Sequence, residues 1–278
     1  MKDFKRKRII TIIVTALIMT CLFSVGVVAW FTVSNQANVN KLAISAGTVG
    51  TLKIADSNAS GTRTGEYTNA IALNVSDVVL SPVTTTNGVL FKSPVYRGDT
   101  VVDLNAITND KLNQYIYEKK YYLKVEADDT TVEGNYKIYL TSSNNKTGTY
   151  LENIIANSAN DAVNAIRISF TATDKSGTKT YIYEPGYGGV NAEQETAEDK
   201  NKDTIPTADL IQNKASGQFQ GANAPDSAYI FEVEPNQELL VTMRVWIEGK
   251  DPECANSIQL NDITGSIQFA SVNVNYLK

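Results

Sequence analysis

The residue types that most enzymes use for acid–base or metal chemistry are scarce in this chain. The sequence holds no histidine, which excludes Ser-His-Asp and Cys-His catalysis, histidine-ligated zinc and the H-E-x-x-H metalloprotease helix. A Ser-Lys dyad or a pair of carboxylates, as in glycoside hydrolases, stays open because such partners meet only in the fold. We therefore predict that the protein is not an enzyme and has no catalytic residues, no metal ligands and no cofactor.

Several acidic residues could supply oxygen ligands for calcium: Asp128, Asp129, Asp251, Glu253 and Asp262. None of them belongs to the twelve-residue loop of regularly spaced acids around a central glycine. We expect these carboxylates to lie solvated in turns.

Two further features could do chemistry outside catalysis. Cys254 is the one cysteine that follows the apolar N-terminal stretch; it could form a disulfide between molecules, but a small buried hydrophobe is the favoured interpretation.

Arg97-Gly98-Asp99 spells the tripeptide that integrins bind. A turn before a strand at Val101 explains the tripeptide more simply, since glycine allows positive φ and aspartate caps the backbone.

Residues 1–31 have the pattern of an export signal. Five basic residues within the first eight precede an uncharged, mostly apolar stretch over residues 9–31. Val27 and Ala29 are small enough for the positions before a signal-peptidase cut, which would leave Trp30 as the first residue. The stretch is also long enough to span a bilayer, for which about 20 residues suffice. An uncleaved anchor with the basic head inside is therefore the alternative.

The charge balance of the remaining chain excludes one class of partner. Residues 1–29 contain five basic residues and one acidic residue, so their removal from 25 basic and 30 acidic residues leaves a net charge of −9. Nucleic-acid binding needs clustered lysine and arginine. We expect no nucleic-acid partner, and membrane contact only through residues 9–31 if the signal is not cleaved.

Alternating polar and apolar residues predict an all-β fold. The pattern is clearest at residues 121–126, 136–140, 165–170, 180–183, 239–247 and 266–274, and it is typical of antiparallel sheets with one packed and one solvated face. Residues 174–177 and 132–135 are predicted hairpin turns, and residues 109–117 and 150–157 are predicted short helices. We predict a single domain over residues 30–278, an antiparallel jelly-roll or β-sandwich. A polar stretch at about residues 186–226 is predicted to be a long mobile insertion.

The residues around the predicted cut resemble a known family. Ala29-Trp30-Phe31-Thr32, then Asn38-Val39-Asn40-Lys41-Leu42 and Ile44-Ser45-Ala46-Gly47-Thr48-Val49, look like the start of the TasA/camelysin proteins. Those are proteins of Gram-positive bacteria that the signal peptidase SipW processes. The resemblance covers about 50 residues, with weaker echoes at residues 96–101 and 232–238. Residues 246–254 look like a recurring ending among related clostridial secreted proteins.

The resemblance implies a jelly-roll-like domain at the cell surface or in the biofilm matrix, processed by a SipW-type peptidase. It also implies assembly into fibres, in which each subunit gives its freed first strand to a neighbour by β-augmentation. The matching donor strand is residues 30–46, with Val33, Val39, Leu42 and Ile44 as apolar anchors at irregular spacing. Self-association is thus the expected partnership, together with possible cell-wall or matrix partners. A monomeric adhesin for a glycan or host protein is the alternative, and a hydrolase is a further one, since camelysin has been regarded as a metalloprotease.

Overall fold

A computed structural model describes ten parts of the chain: residues 37–46, 52–73, 78–97, 100–127, 134–141, 149–153, 165–183, 229–251, 254 and 262–276. All of them belong to one unit, Gln36–Lys278. The predicted signal and the whole of the insertion predicted at residues 186–226 lie outside the described residues.

The described parts are built from strands joined by turns. The strands are β1 (Ala37–Ala46), β2 (Leu52–Asp56), β3 (Ala70–Leu73), β4 (Val78–Leu80), β5 (Pro82–Val83), β6 (Lys92–Arg97), β7 (Thr100–Ala106), β8 (Tyr117–Val125), β9 (Tyr136–Thr141), β10 (Thr149–Asn153), β11 (Ile166–Asp174), β12 (Gly177–Tyr183), β13 (Phe231–Val233), β14 (Glu238–Glu248) and β15 (Asp262–Asn273). Single-turn 3-10 helices span Leu112–Gln114 and Val274–Tyr276.

The strands form two large sheets and a separate hairpin. The first sheet has the order β13-β9-β15-β1-β3, with β10 beside β15 and β4 beside β1. The second has the order β12-β11-β14-β8-β2, with β5 beside β14, and β6 and β7 form a two-stranded sheet among the described strands. Most pairs are antiparallel; β1 with β15 and β5 with β14 are parallel. The predicted all-β sandwich is confirmed.

The two sheets share one core because each turns its apolar face to the other. Phe170 of the second sheet meets Phe269 of the first edge to face, with ring centroids 5.4 Å apart, and Tyr121 lies 6.1 Å from the same Phe269 ring. All three side chains are fully buried. Burial of each large apolar side chain contributes roughly 1.5–3 kcal/mol, so this central contact holds the sheets face to face.

The predicted alternation is confirmed along β8 but is wrong at one end of the second sheet. Tyr121, Leu123 and Val125 are buried, whereas the residues between them are partly exposed. At the ends of β11 and β14, by contrast, both faces are buried. The outer face is covered there by the segment around β5. Val83 and Phe91 of this segment pack with Ile116, Ile182 and Trp246 as a second small core.

Three local predictions need correction and one is confirmed. Residues 109–117 contain only the single turn Leu112–Gln114 before β8 begins. The predicted helix at residues 150–157 is wrong where it is described, because Thr149–Asn153 is a strand paired with β15. Residues 132–135 do not close a hairpin, since β8 and β9 belong to different sheets. The turn at residues 174–177 does join the paired strands β11 and β12.

Candidate functional site

The predicted donor segment lies inside the first sheet, where both of its edges are paired. Its described part is β1, which runs parallel to β15 over Asn38 to Ala46. On its other edge, β1 pairs antiparallel with β4 through residues 37–39 and with β3 through residues 42–45. We call β1 and its neighbours β15, β3 and β4 the β1 seam.

A bulge explains the irregular spacing of the predicted anchors in this strand. The pairing with β15 shifts between Val39 and Lys41, so that Asn40 is an extra residue. Val39, Leu42 and Ile44 consequently lie opposite residues 263, 265 and 267, which are alternate positions of β15 and share one face of it. Ile267 is fully buried, so this face of β15 is turned toward the core at that position. The bulge therefore brings three unevenly spaced residues onto one row.

The first sheet depends on β1 for its continuity on one side. Among the described strands, neither β3 nor β4 pairs with any strand other than β1. Without β1, the edge of β15 that faces it would be unpaired, and β3 and β4 would lose the strand with which they pair. Such unpaired edges are templates for another strand.

Only some of the predicted site residues are described. Val39, Leu42 and Ile44 lie in β1. Val27, Ala29 and Trp30 of the predicted cleavage site, and Val33 of the predicted donor strand, lie outside the described residues.

The Arg97-Gly98-Asp99 tripeptide lies at the end of the β6–β7 hairpin. Arg97 is exposed and pairs with Thr100, while Gly98 and Asp99 are outside the described residues. The hairpin bears Val102, which is 49% exposed, on a strand that pairs with β6 alone among the described strands. It is joined to the second sheet through Thr84 and Lys92, whose backbones exchange two hydrogen bonds.

A buried polar cluster anchors the other side of this hairpin. We call Arg167, Trp246, Glu248, Asp251 and Cys254 the Arg167 cluster; all five are at most 8% exposed. The Arg167 guanidinium donates to the Asp251 carboxylate and, at 3.1 Å, to the backbone carbonyl of Ile166. The Trp246 indole N–H donates to Glu248 Oε2 at 3.1 Å. Burial of these charges is thus matched by direct partners, as such charges require.

The hairpin contacts this cluster at Gly249. The Tyr96 hydroxyl donates to the Gly249 carbonyl at 2.7 Å. A Cβ at position 249 would lie 2.6 Å from Pro94 Cγ and 2.9 Å from the Tyr96 hydroxyl oxygen. Gly249 is therefore required for close approach of β6 to the end of β14.

Cys254 is buried, as predicted, and its thiol is chemically quiet. Burial raises the pKa of the Cys254 thiol to about 12, although a hydrogen bond with Tyr96 acts in the opposite direction. Because the thiolate is the reactive form, the folded chain does not present a reactive thiol at this position.

Sequence reasoning missed the partner of Asp251. That residue was predicted to be a solvated turn carboxylate, and this is wrong: it is buried and paired with Arg167, 84 residues away in the chain. Among the described residues, no group of three or more acidic, cysteine or histidine side chains is arranged to hold a metal ion. Asp128, Asp129 and Glu253 lie outside the described residues, and Asp262 is the first residue of β15.

Comparison with known proteins gives no relative: no protein-family model, curated protein or solved structure matches this chain. Within the described residues, no helix is long and apolar enough to cross a bilayer. The apolar stretch at residues 9–31 lies outside them.

Proposed function

We propose that this chain is an exported structural protein of the cell surface or biofilm matrix that self-associates by giving β1 to a neighbouring copy. The observation that carries the proposal is the position of β1. It is the first described strand, it follows the predicted cleavage site by seven residues, and it is paired on both edges inside a sheet.

The pairing of β1 supports exchange between copies at little net cost. If β1 leaves its own sheet, an identical β1 from a neighbour restores every pair with β15, β3 and β4. Exchange of an identical element is a low-cost route to association because no new interface has to be built. Main-chain hydrogen bonds then supply affinity, and alternate side chains of the added strand supply specificity.

The geometry of the donation permits filaments as well as closed pairs. The surface that gives β1 differs from the slot that receives it, so one copy can give to one neighbour and receive from another. Such head-to-tail contacts generate rings if the rotation closes and open filaments if it does not.

The predicted signal would control when β1 is free to move. Residues 30–36 between the cut and β1 span at most about 25 Å when extended. An uncleaved signal would hold β1 beside the membrane, and cleavage by a SipW-type peptidase would release it. The signal peptidase is therefore the partner whose cleavage allows assembly to begin.

A cross-strand disulfide tests the exchange directly. Ala43 and Ala72 are opposite each other in the antiparallel β1–β3 pair, at a separation suited to a disulfide. In the mature chain carrying Ala43→Cys and Ala72→Cys, assembly followed by oxidation should give covalent ladders on a denaturing gel. Oxidation before assembly should instead give an intramolecular bond and block assembly.

Two results would count against the proposal. One is a chain that stays monomeric at high concentration and forms only the intramolecular disulfide. The other is an assembly without covalent ladders, which would mean that copies associate through another surface. The single variant Ala72→Cys is the matched control, because it keeps the exposed thiol and lacks the partner.

The β6–β7 hairpin favours a second candidate function, adhesion by a monomer. Arg97 and the 49% exposed Val102 of this hairpin, and the 69% exposed Leu90 just before it, are accessible and lie outside β1, β3, β4 and β15. Binding of the monomer to a glycan array or to a host protein, lost on Arg97→Ala, would support this function. Retention of that binding in the oxidised, assembly-blocked variant would separate it from self-association.

A further inference from the structure

β1 occupies the space between β15 on one side and β3 and β4 on the other, which we call the β1 slot. The bulge in β1 makes the pairing in this slot different from pairing at an ordinary sheet edge. On one side of β1, β15 is continuous and passes the bulge without a break. On the other side, residues 37–39 pair with β4 and residues 42–45 pair with β3. Asn40 and Lys41 fall between these two partners, so the interruption in one wall of the slot coincides with the bulge.

Removal of Asn40 would give a strand with a different preference. The remaining sequence would place Val39, Leu42, Ile44 and Ala46 at strictly alternating positions. A regular, alternating strand without proline or a bulge pairs readily with unrelated edges and with copies of itself. Bulges are one of the devices by which natural sheets avoid such pairing.

We propose that the Asn40 bulge determines the specificity of strand donation. The bulge favours pairing of β1 with the continuous strand β15 on one side and with the separate strands β3 and β4 on the other, in its own chain or in a copy. It disfavours pairing of β1 with another β1. This inference rests on the proposed exchange, but it makes a separate prediction about what β1 pairs with.

The test uses one cysteine in the full mature chain. With Ala43→Cys alone, a disulfide between position 43 of two copies forms in highest yield where two β1 strands lie side by side. The native bulge should give little of this product during assembly. Deletion of Asn40 in the same background should raise the 43–43 dimer by about fivefold, the factor that one regained backbone hydrogen bond supplies. Thioflavin-positive material should rise with it.

Asn40→Gly is the matched control, because it changes the side chain and keeps the extra residue; it should behave like the native chain. Equal amounts of 43–43 dimer with and without Asn40 would overturn the inference, even if the native chain assembles normally. A deletion variant that fails to fold would also overturn it, since the bulge would then be a folding requirement. Failure of the proposed exchange has another signature: no covalent ladders from the 43–72 pair.

Discussion

The β1 seam and the Arg167 cluster are held together by different interactions. In the seam, the described contacts are backbone ladders between β1 and strands from both ends of the chain. In the cluster, charged and aromatic side chains from β11 and from the end of β14 are buried against one another. A ladder can be rebuilt with any identical strand, whereas the cluster requires side chains fixed in one arrangement.

This difference separates assembly from folding. A copy of β1 from a neighbour supplies the same hydrogen bonds as the original strand, so the seam can open and close between molecules. The Arg167 cluster lies in the other sheet and is not needed for exchange. A chain can therefore keep a rigid second sheet and hairpin while its first strand changes partner.

The largest effect is expected from breaking the buried ion pair. Arg167→Ala leaves the Asp251 carboxylate buried without its charge partner, which costs about 3–5 kcal/mol. Natural domains have about 5–15 kcal/mol of stability in total, so this variant should be close to unfolding. Urea denaturation measures the loss.

Two variants sharpen that result. Arg244→Ala removes a partly exposed pair with Glu118 and should cost about 0.2–1 kcal/mol. Replacing both buried partners, Arg167→Met with Asp251→Leu, should recover most of the loss, because no charge is then left unpaired. If Arg167→Ala were as stable as the native chain, the Arg167 cluster would not depend on one fixed arrangement of its side chains.

Gly249→Ala tests the same region through packing. The added methyl group would meet Pro94 Cγ and the Tyr96 hydroxyl at distances too short for contact, and overpacking of this kind costs about 1–3 kcal/mol. Gly65→Ala is the control, since its Cβ would lie at an ordinary 3.7 Å from Asp56. Partial rescue by Pro94→Ala, measured by urea unfolding, would locate the clash at the hairpin.

Ala43→Pro tests the seam. Ala43 is paired on both edges, with Ser266 and Ala72, and proline removes a ladder hydrogen bond that a central strand needs. We expect a loss of about 1–3 kcal/mol, together with loss of assembly by sedimentation. Ala43→Gly keeps the N–H and should assemble. An Ala43→Pro chain that assembles normally would show that β1 is not the exchanged strand.

Sequence patterns predicted the parts of the fold that are local. Alternation at residues 121–126 and 239–247 indicated β8 and β14, because alternate residues there, such as Leu123 and Val241, are buried in the shared core. The pattern failed at β1, since the extra Asn40 breaks the period and the register depends on a distant strand.

The Arg167 cluster was equally hidden from sequence reasoning. Arg167 alternates with Ile166 and Ile168 and so looks like a solvent-facing residue, and its partner Asp251 is 84 residues away. Only the fold brings the two together. An arginine flanked by isoleucines in a strand, with the aromatic and acidic run at residues 246–251 elsewhere in the chain, was the available signal.

The smallest expected effect on the free energy of unfolding comes from a third interaction, the pair of Glu232 with Lys175, and it depends on pH. Glu232 of β13 accepts hydrogen bonds from Asn135 at 2.8 Å and pairs with Lys175, at the turn between β11 and β12, at 2.5 Å. Burial alone would raise the pKa of Glu232, but these hydrogen bonds outweigh it and lower the pKa below its ordinary value of 4.5. The link joins an edge of the first sheet to a turn of the second.

Because the folded pKa of Glu232 is lowered, its contribution to stability is present above about pH 4.5 and is lost as the pH falls through the folded value. Urea unfolding of the native chain and of Glu232→Gln should therefore differ near neutral pH and converge once the pH has fallen below the lowered pKa of Glu232. Lys175 is half exposed, so the difference should be smaller than that of Arg167→Ala. A difference that grows as the pH falls would have the wrong sign and would contradict the assigned pairing. A difference as large as that of Arg167→Ala would mean that exposed and buried charges hold this fold equally.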